Sequence, residues 1–249
     1  MLPCIDHIWA FLALLPIVAF LYSSVGHGGA SGYLALMALF SFPIAFMRPS
    51  ALLLNIFVAG ISFYYFWKNN HFNFNLFYPF AITSIPASFI GGKLNVNPAL
   101  YKHILGVLLI FAVLRIFGVI GKKESTDTKQ INLILALIIG AIIGLFSGMI
   151  GIGGGIILSP LILLLNWGKV KETAAVSALF IWVNSIAAMA GLVYAGVEIP
   201  KSSFMLVSFA LIGGAIGGYF GSKKIENKTL KYVLGGVLII ASLKLLFVT

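Results

Sequence analysis

Gly26-His27-Gly28-Gly29-Ala30-Ser31-Gly32 and Gly151-Ile152-Gly153-Gly154-Gly155 are two glycine-rich interruptions in otherwise apolar sequence. Each follows an apolar segment long enough to cross a bilayer. Each precedes one that is too short to cross comfortably, at 31–42 and at 155–167. Lipid offers no hydrogen bonds, so unwound backbone survives in a membrane only where protein buries it or where it lines a cavity. Paired interruptions at matching places in two halves of a chain therefore point to a binding site.

The surrounding composition supports a membrane reading. Hydrophobic residues make up 61% of the 249 and charged residues only 9%, and the mean hydropathy is +1.09. Soluble chains run at roughly 45–50% apolar and about 25% charged. The fold class is therefore an all-α polytopic membrane protein, with the lipid bilayer as its constant partner. Eight segments approach the ~20 apolar residues that a spanning helix needs: 8–25, 47–67, 74–92, 100–118, 131–150, 173–195, 202–221 and 229–248. The first is read as a span, not a cleaved leader, because no small-residue cleavage site precedes another domain.

The halves read as weakly similar repeats. Gly26, Gly28 and Gly29 match Gly151, Gly153 and Gly154 at one offset, and Asn55 matches Asn184 after a small gap. Further on, 100–108 matches 230–238, and Phe117 falls on Phe247. The expected organisation is a first repeat at 1–121, a polar linker at 122–130 and a second repeat at 131–249. Each repeat would hold four long helices and one short broken or re-entrant helix after its glycine break.

The net charge of +10 is read first as topology, since basic residues gather in cytoplasmic loops. It implies no nucleic-acid partner, though a positive field also suits an anionic substrate. If the short pieces cross, Lys68, Lys122, Lys123, Lys129, Lys169, Lys171, Lys223, Lys224, Lys228 and Lys231 share one face. Arg48, Lys93, Lys102 and Lys201 then lie opposite. The positive-inside rule thus favours inverted repeats with both termini outside.

The acidic residues are Asp6, Glu124, Asp127, Glu172, Glu198 and Glu226, all at predicted helix ends or in loops. A cation carrier usually places a carboxylate inside the membrane. Metallohydrolases and intramembrane proteases need acids, histidines or cysteines at fixed spacing. No HExxH, paired-carboxylate or GxSxG element is present, and lone Cys4 forms no framework. These absences argue against an enzyme and against a cation substrate, and no metal or other cofactor is expected.

The breaks suggest an anion. A helix that begins inside the membrane presents free N–H groups and the positive end of its dipole, which together attract an anion. The candidate donors are the backbone at Gly26, Gly28, Gly29, Ala30, Gly151, Gly153, Gly154 and Gly155, with the hydroxyls of Ser23, Ser24, Ser31 and Ser147 close by. The competing reading of such glycines is tight helix packing. His27, opposite Ile152 in the alignment, is either a hydrogen-bonding or proton-carrying group or a buried side chain paired with a carbonyl. Asn55 and Asn184 either hold helices together or line the cavity. Thr83, Ser84, Ser88, Ser177 and Ser185 carry the same ambiguity. Arg115 and Lys244 read as snorkelling cations, Arg48 and Lys93 as orientation charges at helix ends. Three of the four tryptophans read as interfacial.

Phe146-Ser147-Gly148-Met149-Ile150-Gly151-Ile152-Gly153-Gly154-Gly155, with Pro160 in the short helix that follows, resembles the TauE/SafE-type sulfite exporter family. Tyr22-Ser23-Ser24-Val25-Gly26-His27-Gly28-Gly29-Ala30 is the first-half counterpart. It departs from the pattern at Ala30, where a glycine is expected, and at Ala35, where a proline is expected. That leaves open whether the halves contact substrate equally. The resemblance covers essentially the whole chain. It implies transport, usually export, of sulfite or an organosulfonate across a bacterial or archaeal cytoplasmic membrane. The resulting expectation is a secondary transporter that works by alternating access. A passive anion channel and a non-transporting membrane subunit are the alternatives. The chain has no ATPase motif. Any proton coupling would have to use His27 or the anion itself.

Overall fold

The computed structural model describes residues 8–116 and 128–223, together with residues 239, 242, 243 and 246. The described residues form helices and no strands: α1 Ile8–Ser24, α2 Ala30–Leu39, α3 Ile44–Lys68, α4 Phe74–Lys93, α5 Pro98–Ile116, α6 Leu133–Ile150, α7 Gly155–Leu164, α8 Val170–Tyr194 and α9 Ser202–Lys223. Most of the segment expected at 229–248 lies outside the described residues, as do Cys4, Asp6, most of the linker and the side chains of Arg115 and Lys244.

Two helix starts differ from expectation. α3 begins three residues before position 47, after the extended Pro43. α8 begins at Val170, because Glu172 reaches back to accept the Lys169 N–H at 3.0 Å. A polar capping turn of this kind scores poorly on hydropathy but starts a helix well. The short helices also stop early, at Leu39 and Leu164.

By length and composition α3, α6, α8 and α9 qualify as spans. α1 has only 17 residues. α4 carries two prolines and a row of hydroxyls inside an otherwise apolar helix. The polar face of α4 is turned inward, where its backbone meets glycines on α6. A methyl group added at Gly140, Gly144 or Gly148 would strike the carbonyls of Phe80, Ser84 and Ser88 in turn. Gly213, Gly217 and Gly221 on α9 meet the carbonyls of Pro16, Phe20 and Ser24 on α1 in the same way. Small residues every fourth position let two backbones approach, which is how helices bind where no hydrophobic effect drives them together. On α6 the opposite face carries Ile134, Ile138 and Ile142, at 72%, 52% and 53% exposure. In water such a stripe would be a liability; in lipid it is a solvent-facing surface.

The residue order in these contacts sets the directions. α1 runs parallel to α9, and α4 parallel to α6. α2 doubles back along α1, bringing Phe40 and Phe42 against Phe11 with ring centroids 5.7 and 4.8 Å away. α7 doubles back along α6 and ends near the start of α4, where Trp167 packs 6.0 Å from the Phe80 ring. Trp167 is consequently buried at 8% exposure, whereas Trp9 and Trp67 are exposed.

Charges gather at two ends. Lys171 Nζ donates to the carbonyls of Ser222 at 2.8 Å and Lys223 at 3.2 Å. The Lys129 N–H donates to Asn166 O at 2.7 Å. Asn69, beside Lys68, donates to Ser222 Oγ at 3.1 Å. At the other end Lys93 Nζ lies 4.3 Å from the Tyr194 ring centroid. Arg48 is there too, and it does more than mark orientation. Its guanidinium donates to Gly91 O at 2.8 Å, Gly92 O at 2.7 Å, Gly148 O at 2.9 Å and Leu94 O at 3.1 Å. It satisfies carbonyls at the negative ends of α4 and α6 together.

If the glycine stripes hold the helix pairs together, Gly144→Leu and Gly217→Leu each destabilise the protein by about 3 kcal/mol or more through overpacking. Thermal unfolding in detergent is the check. Ile138→Leu, on the lipid face, leaves the midpoint nearly unchanged.

Candidate functional site

Both breaks are built alike. After α1, the His27 N–H bonds to Tyr22 O at 2.9 Å; after α6, the Ile152 N–H bonds to Ser147 O at 3.3 Å. Both bonds close over five residues, at the offset that aligns the motifs. Each short helix is then entered through a left-handed glycine: Gly29 at φ 98° before α2, Gly154 at φ 80° before α7. A side chain is strained at such angles, and glycine is not.

The two breaks meet at Asn55, near the middle of the 25-residue α3. The Ala30 N–H, the first of α2, donates to Asn55 Oδ1 at 3.0 Å. Asn55 Nδ2 donates to Ile152 O in the second break at 3.1 Å and to Ser185 Oγ at 3.3 Å. One fully buried amide therefore satisfies an orphan donor of the first break and an orphan acceptor of the second. A methyl at Gly28 would strike Asn55 Oδ1 and Ile181; one at Gly153 would strike Asn55 Nδ2, Ile181 and Ser185. Gly155 lies equally close to Ile181. The breaks are closed tightly over each other in this conformation: the packing reading describes the contacts of these glycines, and the two breaks lie side by side at one amide.

The halves are unequal. Asn184 is aligned with Asn55, but its Nδ2 donates to Phe180 O at 2.8 Å within its own helix, and its Oδ1 has no partner among the described residues. Among the described residues no side chain takes the first N–H of α7 as Asn55 takes that of α2. Ser147 Oγ is also buried with no partner among the described residues, and the Ser147 Cβ lies 3.4 Å from where a Cβ on Gly154 would stand. The second break therefore lacks the side-chain partner that Asn55 gives the first N–H of α2. Some expected donors are committed elsewhere. Ser23 Oγ donates to Gly214 O at 2.7 Å, Ser24 Oγ to Leu21 O at 2.8 Å and Ser31 Oγ to Tyr22 Oη at 2.9 Å. Gly26 packs against Ala174 of α8, and Gly151 against Arg48 of α3.

Three contributors escape a reading of the sequence. Tyr33, fully buried one turn into α2, folds back so that its Oη, with no partner among the described residues, lies 2.6 Å from where a Gly29 Cβ would be; helical spacing from the break was the available signal. Ser159 joins His27 across the halves at 3.1 Å. Arg48 braces the helix ends beneath the second break.

The family model for the sulfite exporter TauE/SafE matches residues 11–245. The chain belongs to the sulfite exporter TauE/SafE family. A probable membrane transporter protein of Sinorhizobium fredii, y4hK, is 36% identical over 93% of this chain and 95% of its own length. A second, MJ0441 of Methanocaldococcus jannaschii, is 29% identical over 92% of this chain and 94% of its own. YjnA of Bacillus subtilis, also named a probable membrane transporter, is 25% identical over 72% and 76%. No solved structure matches. This TauE/SafE-family chain is a multi-pass membrane transporter and not an enzyme.

The two asparagines make a discriminating pair. Asn55→Ala leaves the Ala30 N–H and the Ile152 carbonyl unpaired, at a cost of about 1–3 kcal/mol each. Asn184→Ala breaks only a bond within its own helix. Thermal melting in detergent is expected to fall clearly further for Asn55→Ala than for Asn184→Ala.

Proposed function

We propose that the protein is a secondary transporter of a small anion, and that the anion is sulfite or an organosulfonate. The observation that carries this reading is the meeting of two broken-helix N-termini at Asn55, within the membrane. Two positive dipole ends and a set of unpaired donors then lie around one point. The anion would be held by the amides of Gly153, Gly154 and Gly155, with Ser147 Oγ and Tyr33 Oη as hydroxyl donors. Gly28, Gly29 and Ala30 would contribute once Asn55 releases the first break. Asn184 would orient the site. The sulfur-oxyanion class rests on the family's name.

The mechanism is alternating access between inverted repeats. Three features support that architecture. α4 packs on α6 as α9 packs on α1, which is the arrangement that an exchange of the two halves requires. Each break leans on the long helix of the other half, Gly26 on α8 and Gly151 on α3. α2 and α7 leave Asn55 in opposite directions. One unit would rock against the other, and the closed packing at Gly28, Gly153 and Gly155 is the state between two openings. The end carrying Lys68, Lys129, Lys169, Lys171 and Lys223 would face the cytoplasm of a prokaryotic cell, with both termini outside and the flux outward.

Purified protein in liposomes distinguishes this from a channel. Preloaded unlabelled sulfite is expected to drive saturable counterflow of labelled sulfite, and sulfite, thiosulfate or sulfoacetate is expected to raise the melting temperature. Unsaturable current without counterflow would mean a channel. Stabilisation by cations or neutral solutes alone would contradict an anion site.

A further inference from the structure

His27 sits inside the first break, 3% exposed. Its Nδ1 lies 3.0 Å from Val25 O. A carbonyl can only accept, so Nδ1 carries the hydrogen and Nε2 of the neutral ring is an acceptor. Nε2 lies 3.1 Å from Ser159 Oγ on α7, in the other half of the chain. Ser159 Oγ lies also 3.0 Å from Gly155 O and 2.7 Å from Ser177 Oγ on α8. One turn before Ser177 on the same helix face stands Thr173, 1% exposed, whose Oγ1 has no partner among the described residues. Gly168 lies against that oxygen and has no side chain to cover it, and Lys169, the next residue, is exposed.

Hydrogen counting gives this file its meaning. With His27 neutral, Ser159 donates to Nε2 and accepts from Ser177. With His27 protonated, Nε2–H donates to Ser159, whose own hydrogen turns to Gly155 O. Every group has a partner in both states. A histidine that served packing alone would need only one of them.

Resting on the anion-carrier reading above, we propose that His27 is the proton-binding group of the transport cycle, and that Thr173, Ser177 and Ser159 form the route by which it exchanges protons with water at the start of α8. The transfer is a balanced relay. The Ser159 hydrogen moves to Nε2 as the Ser177 hydrogen moves to Ser159. Ser177 is reprotonated by a water bridging to Thr173, across the ~5–6 Å between side chains one turn apart. The incoming hydronium supplies the proton, and no serine is left charged.

A charged imidazole in the membrane core is costly when unpaired. Among the described residues, the titratable and charged groups on the surrounding elements are Tyr22 on α1, Tyr33 on α2, Arg48, Tyr64, Tyr65 and Lys68 on α3, Lys171, Glu172 and Tyr194 on α8, and Tyr219 and Lys223 on α9; α7 has none. None of these is a carboxylate at the depth of the break. In this proposal the bound anion pairs with protonated His27, so proton and anion favour each other's binding and cross together in one direction.

Methanesulfonate, which stays ionised at neutral pH, is the probe. In wild-type proteoliposomes holding a pH-sensitive dye, its efflux is expected to make the interior alkaline. Thr173→Val slows that net flux about tenfold or more while leaving methanesulfonate counterflow unchanged, and Thr173→Ser restores it. His27→Gln abolishes the dye signal. Efflux from the wild type without a pH change would overturn the proposal, as would net flux in Thr173→Val equal to wild type. Independently, NMR of isotope-labelled histidine, with His27→Gln for assignment and methanesulfonate present, is expected to show His27 passing from the Nδ1–H tautomer to the doubly protonated ring as the pH is lowered. A single unchanging tautomer throughout the acid titration would refute proton binding. Absence of any wild-type counterflow would instead defeat the carrier reading and leave the proton site to be decided by the NMR titration.

Discussion

Lipid cannot satisfy a peptide group, so a chain that unwinds inside the bilayer must supply its own partners. Here a single amide does so for both breaks. Asn55 takes the first N–H of α2 through Oδ1 and gives Nδ2 to the Ile152 carbonyl. This pair of hydrogen bonds, one within the first half and one across to the second, explains why the breaks can be so short, why glycines crowd against α3, and why a polar residue stands in the middle of an apolar helix. It also implies a conformational cost. Separating the halves breaks the bond from Asn55 Nδ2 to the Ile152 carbonyl, and an anion that takes over the Ala30 N–H when Asn55 lets it go is the natural compensation.

The rest of the fold keeps that meeting point in place. Glycine stripes draw α4 onto α6 and α1 onto α9, with isoleucine facing lipid. Arg48 holds the ends of α4 and α6 beneath the second break. The inequality of the halves follows from small differences. Asn55 caps α2, whereas Asn184 turns its Nδ2 back to Phe180 and leaves α7 uncapped. The family's glycine-rich motif is also the better preserved in the second half, where Gly155 stands in place of Ala30.

Much of the fold was legible because its signals are local. Long apolar runs, two glycine clusters and lone asparagines in apolar helices are visible without a partner in hand, and the reading that both breaks belong to one place rested on them. Of the two roles read for Asn55, holding helices together is the one its contacts show, and lining the cavity belongs to the proposed site. What stayed hidden depends on distant partners. The Ser23 hydroxyl looks available beside the break until Gly214, from the other half, is brought against it. Arg48 looks like a topology charge until four carbonyls converge on it. Tyr33 and Ser159 were hidden among core residues, and the early start of α8 was masked by its polar capping turn.

The most direct test of the central claim is to locate a bound anion. Crystals soaked in selenite, a heavier analogue of sulfite, provide an anomalous difference map. A peak within hydrogen-bonding reach of the Gly153–Gly155 amides and Ser147, with the Asn55 bridge between the breaks lengthened or broken, is the predicted result. A peak found only at the lysine-rich surface, or one that leaves Asn55 bridging two closed breaks while lying between other helices, would contradict it.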